Sequence, residues 1–348
     1  MAWARAATLT NYAELARSKG LDPEKMLAHV KIDPEDLRDP DARINSRSVA
    51  LLFEESAIES GCLQFGLLLA ELRPFSVLGA LSLLLEHQET LRAALTALVR
   101  YQYVLSDTLS LSLEDLGDTA ILRTQLITQI QIPPRQALEF SMAVTARALA
   151  ALGGGEWQPE CIHFMHRAPA DLGIHQRVFG CDLQFESNFN GFVYSATALA
   201  KVNRTAEGTM AHHARAYLDG LHAGLDSEPV FERARRALYL LLPMGRGGID
   251  QVAAHLGMGE RTLQRLLGRE GWKFSRLLNH VRRELVVRHL NNPAHSLSTI
   301  AELMGYGTLS SFTRWFTTEF GTSPSAWRTT AAQSPRAAYA RAELPEHL

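Results

Sequence analysis

The chain has 348 residues, 46% of them hydrophobic and 21% charged, the balance of a globular protein with material for two or three domains. No apolar run reaches the ~18 residues of a membrane span, the first residues, MAWARAATLTNYAELARSKG, lack the apolar core of a secretory signal, and Cys62, Cys161 and Cys181 form neither a disulfide framework nor a Cys-x-x-Cys pair, so a cytoplasmic chain is expected. The net charge of −2 hides an asymmetry: residues 228–330 carry 14 Lys and Arg against 8 Asp and Glu, residues 1–227 carry 19 against 27, and a basic part of this kind points to a polyanionic partner.

Taken in chain order, residues 8–105 read as helical nearly throughout. Leu81, Leu84, Leu85, Leu91, Leu95, Leu98 and Val99 recur at three- and four-residue steps, and Pro23, Pro34, Pro40 and Pro74 punctuate the helices. The alternation 109-LSLSLED, a Gly117-Asp118 turn and 119-TAILRTQLI predict a hairpin. A helix is expected over 135–152, stopped by 153-GGG. Then 161-CIHFMH reads as a strand, 169-PADLGIHQRVFG as a short helix and 182-DLQFESNFNGFVYS as strand and loop. Residues 1–204 are thus expected to be an α+β domain of helices plus a small sheet. Residues 205–227 read as a linker helix, with Met210, Ala214, Tyr217, Leu221 and Leu225 on one face. That stripe packs on its own domain or serves dimerisation. The tail 331–348 is expected to be disordered.

From 228 onward the chain reads as helices and short turns, and it repeats itself. The segment 249-IDQVAAHLGMGERTLQRLL aligns with 297-LSTIAELMGYGTLSSFTRWF, matching Ala253 with Ala301, Gly257 with Gly305, Leu263 with Phe312 and Arg265 with Arg314. Each copy has the pattern of a helix-turn-helix. A small alanine lets two helices cross closely, and a glycine closes the first helix in a left-handed conformation. Alternate apolar residues then bury one side of the second helix. The other side is free for a DNA major groove. In the first copy it carries Glu260, Arg261, Gln264 and Arg265; in the second, Thr308, Leu309, Ser310, Thr313 and Arg314. Arg suits guanine, Gln adenine, Glu the cytosine amino group and Leu a thymine methyl. Between the copies, 274-FSRLLNHVRRELVVRHLNN reads as one helix ending at Asn291-Asn292 before Pro293. About 18 residues at ~1.5 Å each give a spacer of about 27 Å.

These residues, with 256-LGMGERTLQRLL, 281-VRRELVVRHL, 300-IAELMGYGTLSSFTRWF and 320-FGTSPSAWR, resemble the DNA-binding domain of the AraC-type (AraC/XylS) transcription regulators over 228–330. The resemblance implies seven helices, two helix-turn-helix units, promoter DNA and RNA polymerase as partners, and an activator. It assigns Arg261, Gln264, Arg265, Ser310, Thr313 and Arg314 to DNA contacts. Gly307 and Leu309 stand where the family often has polar residues. Segments 75-FSVLGALSLLLEHQETLRAAL and 163-HFMHRAPADLGIHQRVFGCDLQF are similar to the effector domain of one branch of that family. That branch has an α+β sensor rather than a jelly roll. The likeness implies a small-molecule effector, without assigning effector-contacting residues; control by protein contact, or with no effector, is the alternative, and a homodimer through the linker helix or the sensor domain is expected.

Other constellations are weaker. His163 and His166 on one strand would face opposite sides, and His212-His213 are adjacent, so no metal site is expected. Neither a phosphate loop nor a Gly-x-Ser-x-Gly elbow occurs, and no cofactor or enzymatic activity is expected. Arg73, His87 and Tyr103 lie near apolar helices, where a structural role is the simpler reading. Trp315, Phe316 and Trp327 are expected in the core.

Overall fold

Two short strands, β1 (Trp3–Arg5) and β2 (Arg43–Asn45), pair antiparallel at the start of the chain, an element absent from the helical reading of this region. In this computed structural model, residues 2–127, 134–223, 229–290 and 295–333 are described. By its contacts the chain divides into two units, 1–225 and 226–348.

In the first unit, α1 (Tyr12–Ser18) and α2 (Pro23–His29) lie between those strands. Pro23 occupies the first turn of α2, where its missing N–H leaves nothing unpaired, and Asp22 caps the helix by accepting the Lys25 amide. Next come α3 (Ser46–Glu59), α4 (Phe65–Glu71), α5 (Ala80–Glu86) and α6 (Leu91–Tyr101). The leucine periodicity is an interior stripe: Leu81, Leu84, Leu85, Leu91, Leu95 and Leu98 are all buried. The expected hairpin forms from β3 (Leu109–Asp115) and β4 (Thr119–Leu126), in register from Leu109↔Leu126 to Asp115↔Ala120. The long helix α7 (Arg135–Leu152) has the expected bounds.

After α7 come β5 (Cys161–His163), α8 (Gly173–Phe179), β6 (Asp182–Gln184), β7 (Gly191–Ser195), α9 (Ala196–Leu199) and α10 (Gly208–Ala223). The strands β3–β7 form one mixed sheet in the order β3-β4-β7-β5-β6. Its one parallel pair, β5 with β6, needs a crossover, and α8 supplies it. The fold is α+β, as expected, and not a jelly roll.

The stripe expected on the linker helix is displaced. Ala211, Ala214 and Leu218 are the buried face of α10, which packs on α5, while Tyr217 is 61% and Leu221 43% exposed. The register is pinned by Asp219, which accepts hydrogen bonds from Arg100 (3.1 Å) and the Tyr101 hydroxyl (2.7 Å) of α6. Leu225 and the tail from 334 lie outside the described residues.

A buried polar cluster ties α7 to its surroundings. Glu54 of α3 accepts the Gln136 amide at 2.5 Å in the first turn of α7, where the helix dipole favours a negative group. One turn on, Glu139 accepts from Arg135 (2.9 Å) and meets His166 and His175 at 3.1 Å each. Burial would raise the Glu139 carboxyl, but His166, His175 and Arg135 outweigh it and hold it down at about 2. Glu54 has no such partners; burial pushes it up to about 7, with Glu139 adding to the shift.

Because the folded chain holds the Glu54 proton more tightly than the unfolded one, this group's stabilising contribution is complete below pH 4.5 and is lost as pH rises through about 7. Glu54→Gln keeps an acceptor for the Gln136 amide and removes the titration. It is expected to leave stability near wild type at pH 4 and to raise it by about 3 kcal/mol at pH 8, read from urea unfolding at each pH.

The second unit is all-α. Its described residues form seven α-helices: α11 (Val230–Leu241), α12 (Ile249–His255), α13 (Glu260–Arg269), α14 (Phe274–Leu290), α15 (Leu297–Leu303), α16 (Leu309–Phe320) and α17 (Pro324–Gln333). The spacer α14 buries Leu277, Val281, Leu285, Val286, Val287 and Leu290; the stop expected at Asn291–Pro293 lies outside the described residues. Arg235 of α11, 5% exposed, forms an ion pair with Glu284 of α14 at 3.0 Å, and the Tyr239 hydroxyl donates to the same carboxylate.

Candidate nucleic-acid interface and sensor cavity

The two repeats fold alike. After α12, Gly257 takes φ +68°, its amide donates to the Ala254 carbonyl (3.1 Å), and the Met258 amide reaches back to Ala253 (3.0 Å). After α15, Gly305 takes φ +73°, its amide donates to Glu302 (2.8 Å), and the Tyr306 amide reaches back to Ala301 (2.8 Å). This left-handed stop turns the chain sharply at no steric cost only with glycine. Ala253 and Ala301 are buried beneath it, and Leu263, Leu267, Phe312 and Phe316 are fully buried under the second helix of each unit.

With one face of α13 and of α16 fixed inward, the opposite face is exposed by geometry. Glu260, Arg261, Gln264 and Arg265 are exposed, as are Thr308, Leu309, Ser310 and Arg314; Thr313 is half-buried. Gln264 donates to Glu260 at 3.2 Å across one turn. Among the described residues, Arg261, Arg265 and Arg314 make no ion pair, so three guanidinium groups face outward with their donors free. On α16, Leu309, Ser310, Thr313, Arg314 and Thr317 line a shallow open groove.

Thr308 has a second role that its assignment as a DNA contact overlooked. It is the N-cap of α16, accepting the Ser311 amide at 3.2 Å. The signal, a threonine three residues before the amide it caps, was present in the sequence.

Both reading helices are braced. Glu270, just past α13, accepts the amides of Val230 and Phe231 at 2.7 Å each and so caps α11; Trp272 stacks on Phe231 with ring centroids 4.2 Å apart. On the other side, Arg282 of α14 donates to the Met304 carbonyl (2.9 Å) and lies 4.4 Å from the Tyr306 ring centroid, gripping the second turn. Phe316 and Trp327 are core, as expected, and Trp315 is half-buried among Tyr306, Phe312 and Phe320.

The family model described as the arabinose-binding domain of AraC transcription regulators matches residues 20–202, and a helix-turn-helix domain model matches residues 252–330. The chain belongs to the AraC family of transcription regulators. It is 32% identical over 337 residues to the HTH-type transcriptional regulator VirS of Mycobacterium tuberculosis, covering 95% of this chain and 98% of that one. It is also 25% identical over 316 residues to the ornithine utilization regulator of Pseudomonas aeruginosa, covering 90% and 93%. Among solved structures, the transcriptional regulator CdpR of Pseudomonas aeruginosa aligns over 88% of this chain and 96% of its own at 21% identity, with a TM-score of 0.41. This AraC-family chain is therefore a DNA-binding transcription regulator rather than an enzyme.

The arabinose-binding-type domain holds a cavity of about 110 Å³ between α3, α6 and α7, walled by Phe53, Leu98, Phe140 and Leu149 and reached by Arg5 and Arg73. Of the three polar residues weighed from the sequence, Arg73 alone lines it. The His87 ring accepts the Glu207 amide and Tyr103 donates to the Leu218 carbonyl, so both hold α10 in place. His163 and His166 do not converge. The strand ends at His163, whose ring contacts Ser187, while His166 meets Glu139. The unsuspected partner there is His175. Burial pushes the Cys181 thiol up to about 12 and raises Cys161, which makes neither a reactive thiolate at neutral pH.

Thr308→Ala removes the cap and is expected to lower stability by about 1 kcal/mol, whereas Thr308→Ser retains it. Denaturant midpoints of the second unit's transition check this; equal midpoints for the two variants would exclude a capping role.

Proposed function

We propose that α13 and α16 read two successive major grooves of a promoter, with α14 as the spacer. Glu260, Arg261, Gln264 and Arg265 form the first contact set, and Thr308, Leu309, Ser310, Thr313 and Arg314 the second. The observation that carries this reading is the pair of turns with the same glycine conformation and hydrogen bonds, each presenting a helix whose inner face is fully buried and whose outer face bears guanidinium groups with no ion pair among the described residues. At ~1.5 Å per residue, the 17 residues of α14 span about 26 Å, on the scale of the ~34 Å between successive groove faces.

The first unit is proposed to bind a small-molecule effector in its cavity and to bias the DNA-binding unit, with the outcome being activation through RNA polymerase in the cytoplasm. A ligand does this only by binding two arrangements of the chain with different strength. The exposed edge of α10, Tyr217 and Leu221, supports assembly as a homodimer. Leu221→Arg is expected to shift the sedimentation coefficient toward monomer, and an unchanged coefficient would remove α10 from the interface.

On operator fragments at fixed salt, Arg265→Ala and Arg314→Ala are each expected to cost about 1–3 kcal/mol of binding and to relax base preference at one position. Loss of affinity with base preference intact would make the residue a phosphate contact; unchanged affinity for both variants would overturn the assignment.

A further inference from the structure

Arg73 is unlike the other buried charges of the first unit. Arg5 is matched by Asp41, whose carboxylate takes its Nε at 2.9 Å and Nη2 at 2.5 Å, with Nη1 on the Val77 carbonyl. Glu139 is matched by Arg135 and two histidines. Arg73 has no carboxylate among the described residues. Its one hydrogen bond runs from Nη1 to the Thr8 carbonyl at 2.7 Å, and its Nε is out of solvent with no partner. The Phe140 ring centroid lies 4.9 Å from its guanidinium carbon. Burial, and then the nearby Arg5, push its pKa down to about 10, so at neutral pH it remains a cation. The side chain as a whole is half-buried, and a cation partly withdrawn from water without a counter-ion is costly, a cost recovered if something anionic arrives.

Arg73 sits where that can happen. It lines the 110 Å³ cavity, and it also lines an adjoining recess of about 80 Å³ that shares Val77 and Val144 and adds Arg147 at its wall. Nη1 is committed to Thr8. The Nε–Nη2 edge is the fork that takes a carboxylate through two parallel hydrogen bonds, and that edge has no partner. Beyond it the wall is mostly apolar, with Phe53, Leu98, Phe140 and Leu149, and carries the hydroxyls of Ser141 and Thr145 from α7. The other cation lining the 110 Å³ cavity, Arg5, is already neutralised by Asp41, and Arg147 stands only at the wall of the adjoining recess, donating to the Glu71 carbonyl.

We infer that the effector is a monocarboxylic acid with a compact apolar body, its carboxylate on the Nε–Nη2 edge of Arg73 and its body in the cavity between α3, α6 and α7. This deepens the effector reading above and rests on it. An apolar cavity of ~150 Å³ accepts benzene, so one of 110 Å³ suits a smaller body, of roughly four or five carbons.

The test uses the full chain, thermal unfolding and calorimetric titration. The probes are butanoate, hexanoate, octanoate, cyclohexanecarboxylate and phenylacetate, each beside its primary amide. Acids are expected to raise the Tm of the first transition in a concentration-dependent way, best near six carbons, with amides roughly 10–100-fold weaker for loss of the charge-assisted pair. Arg73→Met is expected to abolish the preference for acid over amide, and Arg73→Lys, which keeps the charge but not the fork, to weaken it. Arg73→Lys also serves as the readout if Arg73→Met does not fold. Amides binding as well as acids would overturn the carboxylate class while leaving a ligand-binding cavity. Acids binding equally to wild type and both variants would overturn the anchor. No shift from any acid or amide would overturn both this inference and the effector reading.

Discussion

The DNA-binding unit depends on one local constraint: a helix stopped by a left-handed glycine whose neighbour's amide bonds back to a buried alanine. Gly257 and Gly305 set the angle at which α13 and α16 leave their partners, and Ala253 and Ala301 set how closely the helices cross. Once that angle is fixed, Leu263 and Leu267, or Phe312 and Phe316, can be buried together. The outward direction of Arg265 and Arg314 is then a consequence of helical periodicity, and the reading surface needs no further device to aim it.

The braces differ between the two units while the turns do not. The first reading helix is tied to α11 by a carboxylate cap from Glu270 and by the Trp272–Phe231 stack. The second is held by Arg282 on its turn and by an aromatic core that includes Phe316, Phe320 and Trp327. A duplicated motif thus keeps its backbone logic while its support is rebuilt from different chemistry. The outer faces differ too: polar and charged on α13, with Leu309 and several hydroxyls on α16.

In the first unit, charge is placed with equal economy. Glu139 collects Arg135 and two histidine rings at the centre of the α7 packing, and Arg5 is answered by Asp41. Against that background Arg73 stands out, because low-dielectric surroundings magnify whatever charge is left unanswered. The cavity it lines belongs to a helix-and-sheet scaffold and not to a jelly roll.

Patterns local in sequence were legible without coordinates. The β3–β4 hairpin follows from alternation about Gly117-Asp118, the bounds of α7 from its periodicity and the glycines after it, and the twin helix-turn-helix units from apolar and glycine positions in register. What escaped depends on partners distant in the chain. The pairing of β1 with β2 joins residues some forty apart, and the buried face of α10 was chosen by α5 and by Asp219 meeting α6; Thr308's cap, by contrast, is local and lay behind its expected base contact. The sequence alone determined that the C-terminal part of the chain carries two helix-turn-helix units, because a periodicity and a glycine stop act within a few residues. Only the tertiary structure decided which arginine lacks a counter-ion and which cavity it faces, because charge compensation is settled by whatever side chains the fold brings within a few ångströms.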